Sequence, residues 1–261
     1  MTKLVRCRDN GGKEFHGRLE GDVIVPLTGE LSSLHPAAGL APARLDQVTL
    51  LAPVKPTKIV AVGPNYHAHL KGGKPPPRPF YWLKPASALL DPGGCVVIPG
   101  FVPIACHESE LAIVIGRTTH NVSLNDAPHH ILGYTCINDV TAGDVAHPEV
   151  FLPSMEFIDG KIFDTFAPLG PIIDTAIDPS NLLIQCRLNG EVRQHHRTSD
   201  MIFHPHKLVA MISRVLTLYP GDVIATGSPP GVGKLSDGDI VEVEVEGIGV
   251  LRHSVSISEH T

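Results

Sequence analysis

The chain has 261 residues, 43% of them apolar, which suffices for a sizeable core in one large domain, or a small one plus a larger one, and excludes disorder. A formal net charge of −6 and a pI near 6.2 leave no basic footprint for nucleic acid, so a small soluble substrate is the expected partner. No apolar run approaches the roughly 18 residues that a bilayer span needs, and the opening MTKLVRCRDNGGKEF carries no secretory core; no membrane partner and a cytoplasmic location are expected.

In chain order, residues 1–55 read as a small N-terminal β-rich region. RLEGDVIVPL gives strand-like pieces around a Gly21-Asp22 turn, and a Pro- and Ala-rich connector from Ser33 to Pro56 follows. A boundary near Pro56 would leave 56–261 as a second, larger domain. KIVAVG is a short buried strand, and KGGKPPPRP, Lys71 to Pro79, is a loop and a candidate lid because its prolines suit neither helix nor central strand. The run 110–115 predicts a strand buried on both faces, 124–132 a helix, and YTCIND a further strand. The clearest helix is HKLVAMISRVLTLYPGD, opened by Pro205 and stopped by Pro220-Gly221. DIVEVEVEG, 239–247, alternates as a half-buried antiparallel strand should. One clear helix, 25 glycines, 24 prolines and no βαβ alternation predict a β-dominated α+β fold. The cysteines, at 7, 95, 106, 136 and 186, have no paired spacing and are expected to be reduced and mostly buried.

The stretch CHESELAIVIG sets Glu108 and Glu110 at the mouth of an apolar strand, where i and i+2 side chains share a face. Buried together without a partner they would repel, and a divalent cation would remove that cost. Asp139 closes YTCIND as a third acid, and three carboxylates without cysteine suit Mg²⁺, Mn²⁺ or Ca²⁺ rather than zinc. Spacing alone leaves the alternative that the glutamates merely open the strand in solvent. The glycine-rich GSPPGVGK fails as a phosphate loop: Gly227 and Gly233 are separated by five residues, Leu235 follows Lys234, and two prolines remove amide donors.

The ordered segments VGPNYHAH, FYWLKPASAL, HESELAIVIG, GYTCINDVTAGD, KIFDTFAPLGP, LNGEVRQ, TSDMIF and YPGDVIATGSPPGVG resemble the fumarylacetoacetate hydrolase superfamily from about Lys58 to the C-terminus. That resemblance implies a mixed β-sheet roll, a homodimer, and Mg²⁺ or Mn²⁺ on Glu108, Glu110 and Asp139. It implies catalytic roles for His69 and Lys161 and substrate contacts from Tyr66, Thr226 and the neighbouring Gly227 amide. Gln194 and Lys84 are further substrate-binding candidates with structural roles as their alternative. The chain departs from the family twice: Gly72 stands where a glutamate completes the His69 dyad of relatives that hydrolyse or decarboxylate oxo-acids, and Gly143 where many relatives carry arginine. Glu149 or Glu156 is a candidate replacement for the missing acid. His67 reads as exposed, and His195, His196, His204 and His206 as surface or interface residues.

The expected activity is enolisation of a 2-oxo or 2-hydroxy-dienoic acid by a metal-dependent isomerase or decarboxylase of the 5-carboxymethyl-2-hydroxymuconate type. Hydrolysis of an acylpyruvate or fumarylacetoacetate-like 1,3-dicarbonyl is the nearer alternative. An inactive metal- and carboxylate-binding protein is the alternative from another class.

Overall fold

The chain folds as a curled mixed β-sheet closed by a second sheet, and a computed structural model describes residues 3–143 and 159–259. The β-dominated α+β reading holds, with a single α-helix, Pro205–Ile212, among the described residues. No described helix is long and apolar enough to cross a membrane. Glu149 and Glu156 lie outside the described residues.

Ser109–Ile115 runs near the middle of the large sheet. Ile131–Asn138 pairs antiparallel on one side of it and Val223–Ala225 on the other. Ile59–Val62 then adds in parallel, followed by Tyr81–Lys84. On the far side, Ala167–Asp174 joins Ile131–Asn138, and Lys3–Arg8 joins Ala167–Asp174 with Lys3 opposite Asp174. The N-terminal strands therefore continue the large sheet. A five-stranded sheet, built around Leu183–Leu188, Ile240–Val245 and Gly249–Ile257, covers one face.

The central strand shows why its sequence is so uniformly apolar. Leu111, Ile113 and Ile115 enter the core shared with the five-stranded sheet, while Ala112 and Val114 face a second core with Ile59, Ile137 and Trp82. Ile240–Val245, by contrast, has only its valines fully buried, the alternation expected of a strand with one wet face.

Two helix predictions are corrected. Residues 124–132 hold only a 3-10 turn, Ala127–His130, because Pro128 tightens it and Ile131 is already paired with Ile115. The helix predicted to reach Pro220 ends at Ile212. Ser213 turns away to accept the Asn121 amide on its carbonyl at 2.7 Å and the Val122 amide on its hydroxyl at 3.2 Å, and Leu218 pairs with Thr119. The Lys71–Pro79 segment has no regular structure, as its prolines require. All five cysteines are free, and four are buried.

Candidate active site

Side-chain parity brings the acids together. Glu110 shares its face with Ala112 and Val114, and Asp139 shares its face with Ile137, so both carboxylates enter the second core's side of the sheet. Glu108 precedes the strand at a crossover: its amide donates to Asn138 Oδ1 at 2.7 Å, and its carbonyl accepts the Asp139 amide at 2.9 Å. One oxygen from each of Glu108, Glu110 and Asp139 lies within 4.8 Å of the others, and all three residues are buried.

Two lysines share this cluster. Lys161 Nζ donates to Glu108 Oε1 at 2.9 Å and to Asp139 Oδ2 at 3.0 Å, and sits 4.7 Å from the Trp82 ring centroid. Lys84 Nζ stands 2.7 Å from Asp139 Oδ1 and donates to the Lys161 and Val140 carbonyls. Thr141 Oγ1 donates to Glu108 Oε1 at 2.7 Å, and the Gly227 amide donates to Glu110 Oε2 at 2.6 Å.

The electrostatics follow from burial and neighbours. Burial alone would lower the Lys161 amine, but Asp139 and Glu108 outweigh it and raise it. Burial likewise dominates at Lys84 and lowers it despite Asp139. At Asp139 burial opposes ionisation, yet Lys161 and Lys84 hold the carboxyl below its ordinary range. At Glu110 burial, then Asp139 and Glu108, push the carboxyl well above the usual carboxylate range, and the Gly227 amide and Lys161 offset this only in part. The buried Oε1 of this carboxyl has no hydrogen-bond partner among the described residues. A hard dication fits this donor set, because three oxygen-bearing acids converge and Glu110 Oε1 is met by no donor among the described residues.

A cavity of about 590 Å³ opens onto the cluster, with Glu108 and Lys161 at one end, His69, Lys71 and Ser228 beside them, and Phe80 among its apolar lining. His69 Nε2 lies 2.9 Å from the Ser228 carbonyl; a carbonyl only accepts, so Nε2 carries the proton and Nδ1 is the acceptor of the neutral ring. No carboxylate among the described residues hydrogen-bonds that ring. A Cβ at Gly72 would meet nothing within 4 Å.

The expected substrate contacts divide differently from the expected metal ligands. Tyr66, Lys84, Gln194 and Thr226 are buried, and none of them lines the cavity. Tyr66 belongs to the main core. The Thr226 hydroxyl donates to the Leu111 carbonyl at 2.9 Å, and the Gly227 amide is held by Glu110, so both donors are spent within the protein. Trp82, Thr141 and Ser228 were not singled out from sequence. Thr141 lay two residues past Asp139 on the sequence that ends a strand, a signal available in NDVT, whereas Ser228 meets His69 through its main-chain carbonyl, a contact that leaves no residue-type trace.

The family model for the fumarylacetoacetate (FAA) hydrolase C-terminal domain matches residues 58–256, and the Rv2993c-like N-terminal model matches residues 2–53. The chain belongs to the fumarylacetoacetate hydrolase family. Within that family it is 41% identical over 232 residues to a mitochondrial oxaloacetate tautomerase of Homo sapiens, covering 84% of this chain and 73% of the relative. It also resembles the crystal structure of 2-hydroxyhepta-2,4-diene-1,7-dioate isomerase from Mycobacterium marinum, with a TM-score of 0.89, 35% identity and coverage of 99% and 100%. A maleylpyruvate hydrolase from Sphingobium, solved with manganese(II) and pyruvate, aligns with a TM-score of 0.79 at 32% identity, covering 99% and 100%. Fumarylacetoacetate hydrolase family members thus include isomerases, tautomerases and hydrolases.

Proposed function

We propose that the protein is a divalent-metal-dependent enzyme that relocates a proton in a 2-oxo or 2-hydroxy-dienoic acid, with isomerase, tautomerase or decarboxylase chemistry of the 5-carboxymethyl-2-hydroxymuconate type. The observation that carries this reading is one cavity lined by Glu108 of the acid cluster, by Lys161 and by a histidine whose Nε2 is oriented by the Ser228 carbonyl, with no carboxylate among the described residues bonded to its ring. Mg²⁺ or Mn²⁺ on Glu108, Glu110 and Asp139 would supply Lewis acidity toward a 2-oxo group.

The chain's own residues supply the rest. His69 Nδ1 accepts a proton from the carbon beside the oxo group and returns it at another carbon or at oxygen. Lys161, kept cationic by Asp139 and Glu108, offsets developing enolate charge from the cavity wall. The apolar lining, Val62, Phe80, Trp82 and Val232 among it, limits water at the reacting carbon and favours proton return over water addition.

Hydrolysis of an acylpyruvate is the second reading, supported by the likeness to the manganese- and pyruvate-bound maleylpyruvate hydrolase. The deciding experiment offers oxaloacetate, an acylpyruvate and a hydroxymuconate to the Mn²⁺-loaded protein. It follows deuterium exchange at carbon, pyruvate and CO₂ separately. Exchange or isomerisation without water addition is expected. Pyruvate release by hydrolysis, abolished in His69→Ala, would establish the second reading, and oxalate binding without any turnover would leave a binding protein.

A further inference from the structure

We infer that Gln194 is a positioning residue that acts through Ser228 to fix both the tautomer of His69 and its place relative to the acid cluster. The inference rests on the reading above only in giving His69 a proton to move.

Gln194 is 1% exposed, and both ends of its amide are engaged. Its Oε1 accepts from the Ser109 amide at 3.0 Å, the Ser109 hydroxyl at 2.9 Å and His107 Nδ1 at 3.2 Å. Its Nε2 donates to Ser228 Oγ and to the Pro229 carbonyl, both at 2.7 Å. The orientation of the amide is fixed by its partners, because a backbone amide only donates and a carbonyl only accepts.

The two ends join two parts of the site. Ser109 lies between Glu108 and Glu110, while the Ser228 carbonyl receives the His69 Nε2 proton at 2.9 Å. One side chain therefore spans from the acid-bearing strand to the loop that orients the histidine. Asp200 engages the main chain of the turn that carries His69, its Oδ2 accepting the Ala68 amide at 3.2 Å. The close approach also needs Gly231, whose added Cβ would lie 2.1 Å from the Arg193 carbonyl, beside Gln194. A carbonyl oriented this way fixes the tautomer as an acid partner would, but adds no charge.

Two variants test this. Gln194→Glu keeps an acceptor for Ser109 and, when ionised, loses both donors to Ser228 and Pro229. Ser228→Ala removes one link and preserves the carbonyl. Nitrogen-15 histidine spectroscopy of the metal-free protein is expected to show neutral His69 as the Nε2–H tautomer, and a mixture of both tautomers in Gln194→Glu. With Mn²⁺, kcat for the oxo-acid should fall by at least about tenfold with an altered pH profile, while KM and Mn²⁺ affinity stay within about threefold. Ser228→Ala should move the same readouts less far, and it decides the matter if Gln194→Glu does not fold. An unchanged tautomer in both variants overturns the inference, as does a kcat loss matched by lost Mn²⁺ affinity at an unchanged pH profile. If the wild type turns over no oxo-acid, the proposed activity fails, and the spectra still judge the role of Gln194.

Discussion

Lys161 and Glu108, 53 residues apart in sequence, meet at 2.9 Å between Nζ and Oε1 in the interior, and the same ammonium reaches Asp139. Removing that cation leaves two buried carboxylates with reduced compensation. Lys161→Met is expected to destabilise the metal-free protein by about 3 kcal/mol, the usual scale for breaking a buried pair from one side. Adding Mn²⁺ should recover part of this loss. Denaturant unfolding with and without the metal checks both expectations.

Glu110 behaves differently, because its carboxyl is already pushed well above its ordinary range and its Oε2 accepts the Gly227 amide. Glu110→Gln preserves that acceptor and removes the acid. Mn²⁺ affinity should fall by about a hundredfold or more while the thermal midpoint of the metal-free protein holds or rises. Calorimetric titration with Mn²⁺ measures the first, and wild-type affinity in the variant would refute the assignment of Glu110 as a ligand.

His253 gives a pH signature. Burial, with His107 adding a smaller contribution, pushes it down to about 4, and its ring accepts the Asn138 side-chain amide at Nε2, 2.9 Å away. The unfolded chain takes up this proton near pH 6.5 and the folded chain only near 4, so stability contributed by neutral His253 is lost as pH falls through that window. The loss is about 3 kcal/mol at its full extent and is complete below pH 4. His16, His107 and His206 are also lowered and act in the same direction, so the comparison with His253→Gln isolates the share of His253. Urea midpoints of both proteins between pH 7 and 4 should converge as the pH drops.

Gly231 sits at φ 101°, in backbone that favours glycine, and the clash of an added Cβ is with main chain that cannot swing aside. Gly231→Ala should cost at least about 2 kcal/mol. It should also lower kcat, because it pries Pro229 and Ser228 from Gln194. Unfolding midpoints and turnover on the same preparation check the coupling.

Legibility from sequence followed the range of the interaction. Strand parity put Glu108 and Glu110 on one face but left them free to open the strand in solvent, and it was the family resemblance that grouped them with Asp139; the valines of Ile240–Val245 were legible from alternation alone. The early end of the Pro205–Ile212 helix was not visible, since it depends on Asn121 and Val122 arriving from about ninety residues away to capture Ser213. For Gln194 the family resemblance left a substrate contact and a structural role both open; the three-dimensional convergence of Ser109, Ser228 and Pro229 on its amide had no local pattern in the sequence. Lys3 opposite Asp174 had no local trace at all.

That last pairing sets a timetable for synthesis. The Lys3–Arg8 strand can find Glu14–Glu20 at once, and Thr49–Leu51 soon after covers Arg6, Cys7 and Arg8 on its other edge, yet Lys3 and Leu4 gain their partners there only when Ile173 and Asp174 have been made. At 5–20 residues per second the wait is about 10 to 30 s. During it only the Lys3–Leu4 end of that edge stays unpaired, so the early pairing with Thr49–Leu51 keeps the exposed template for other chains short.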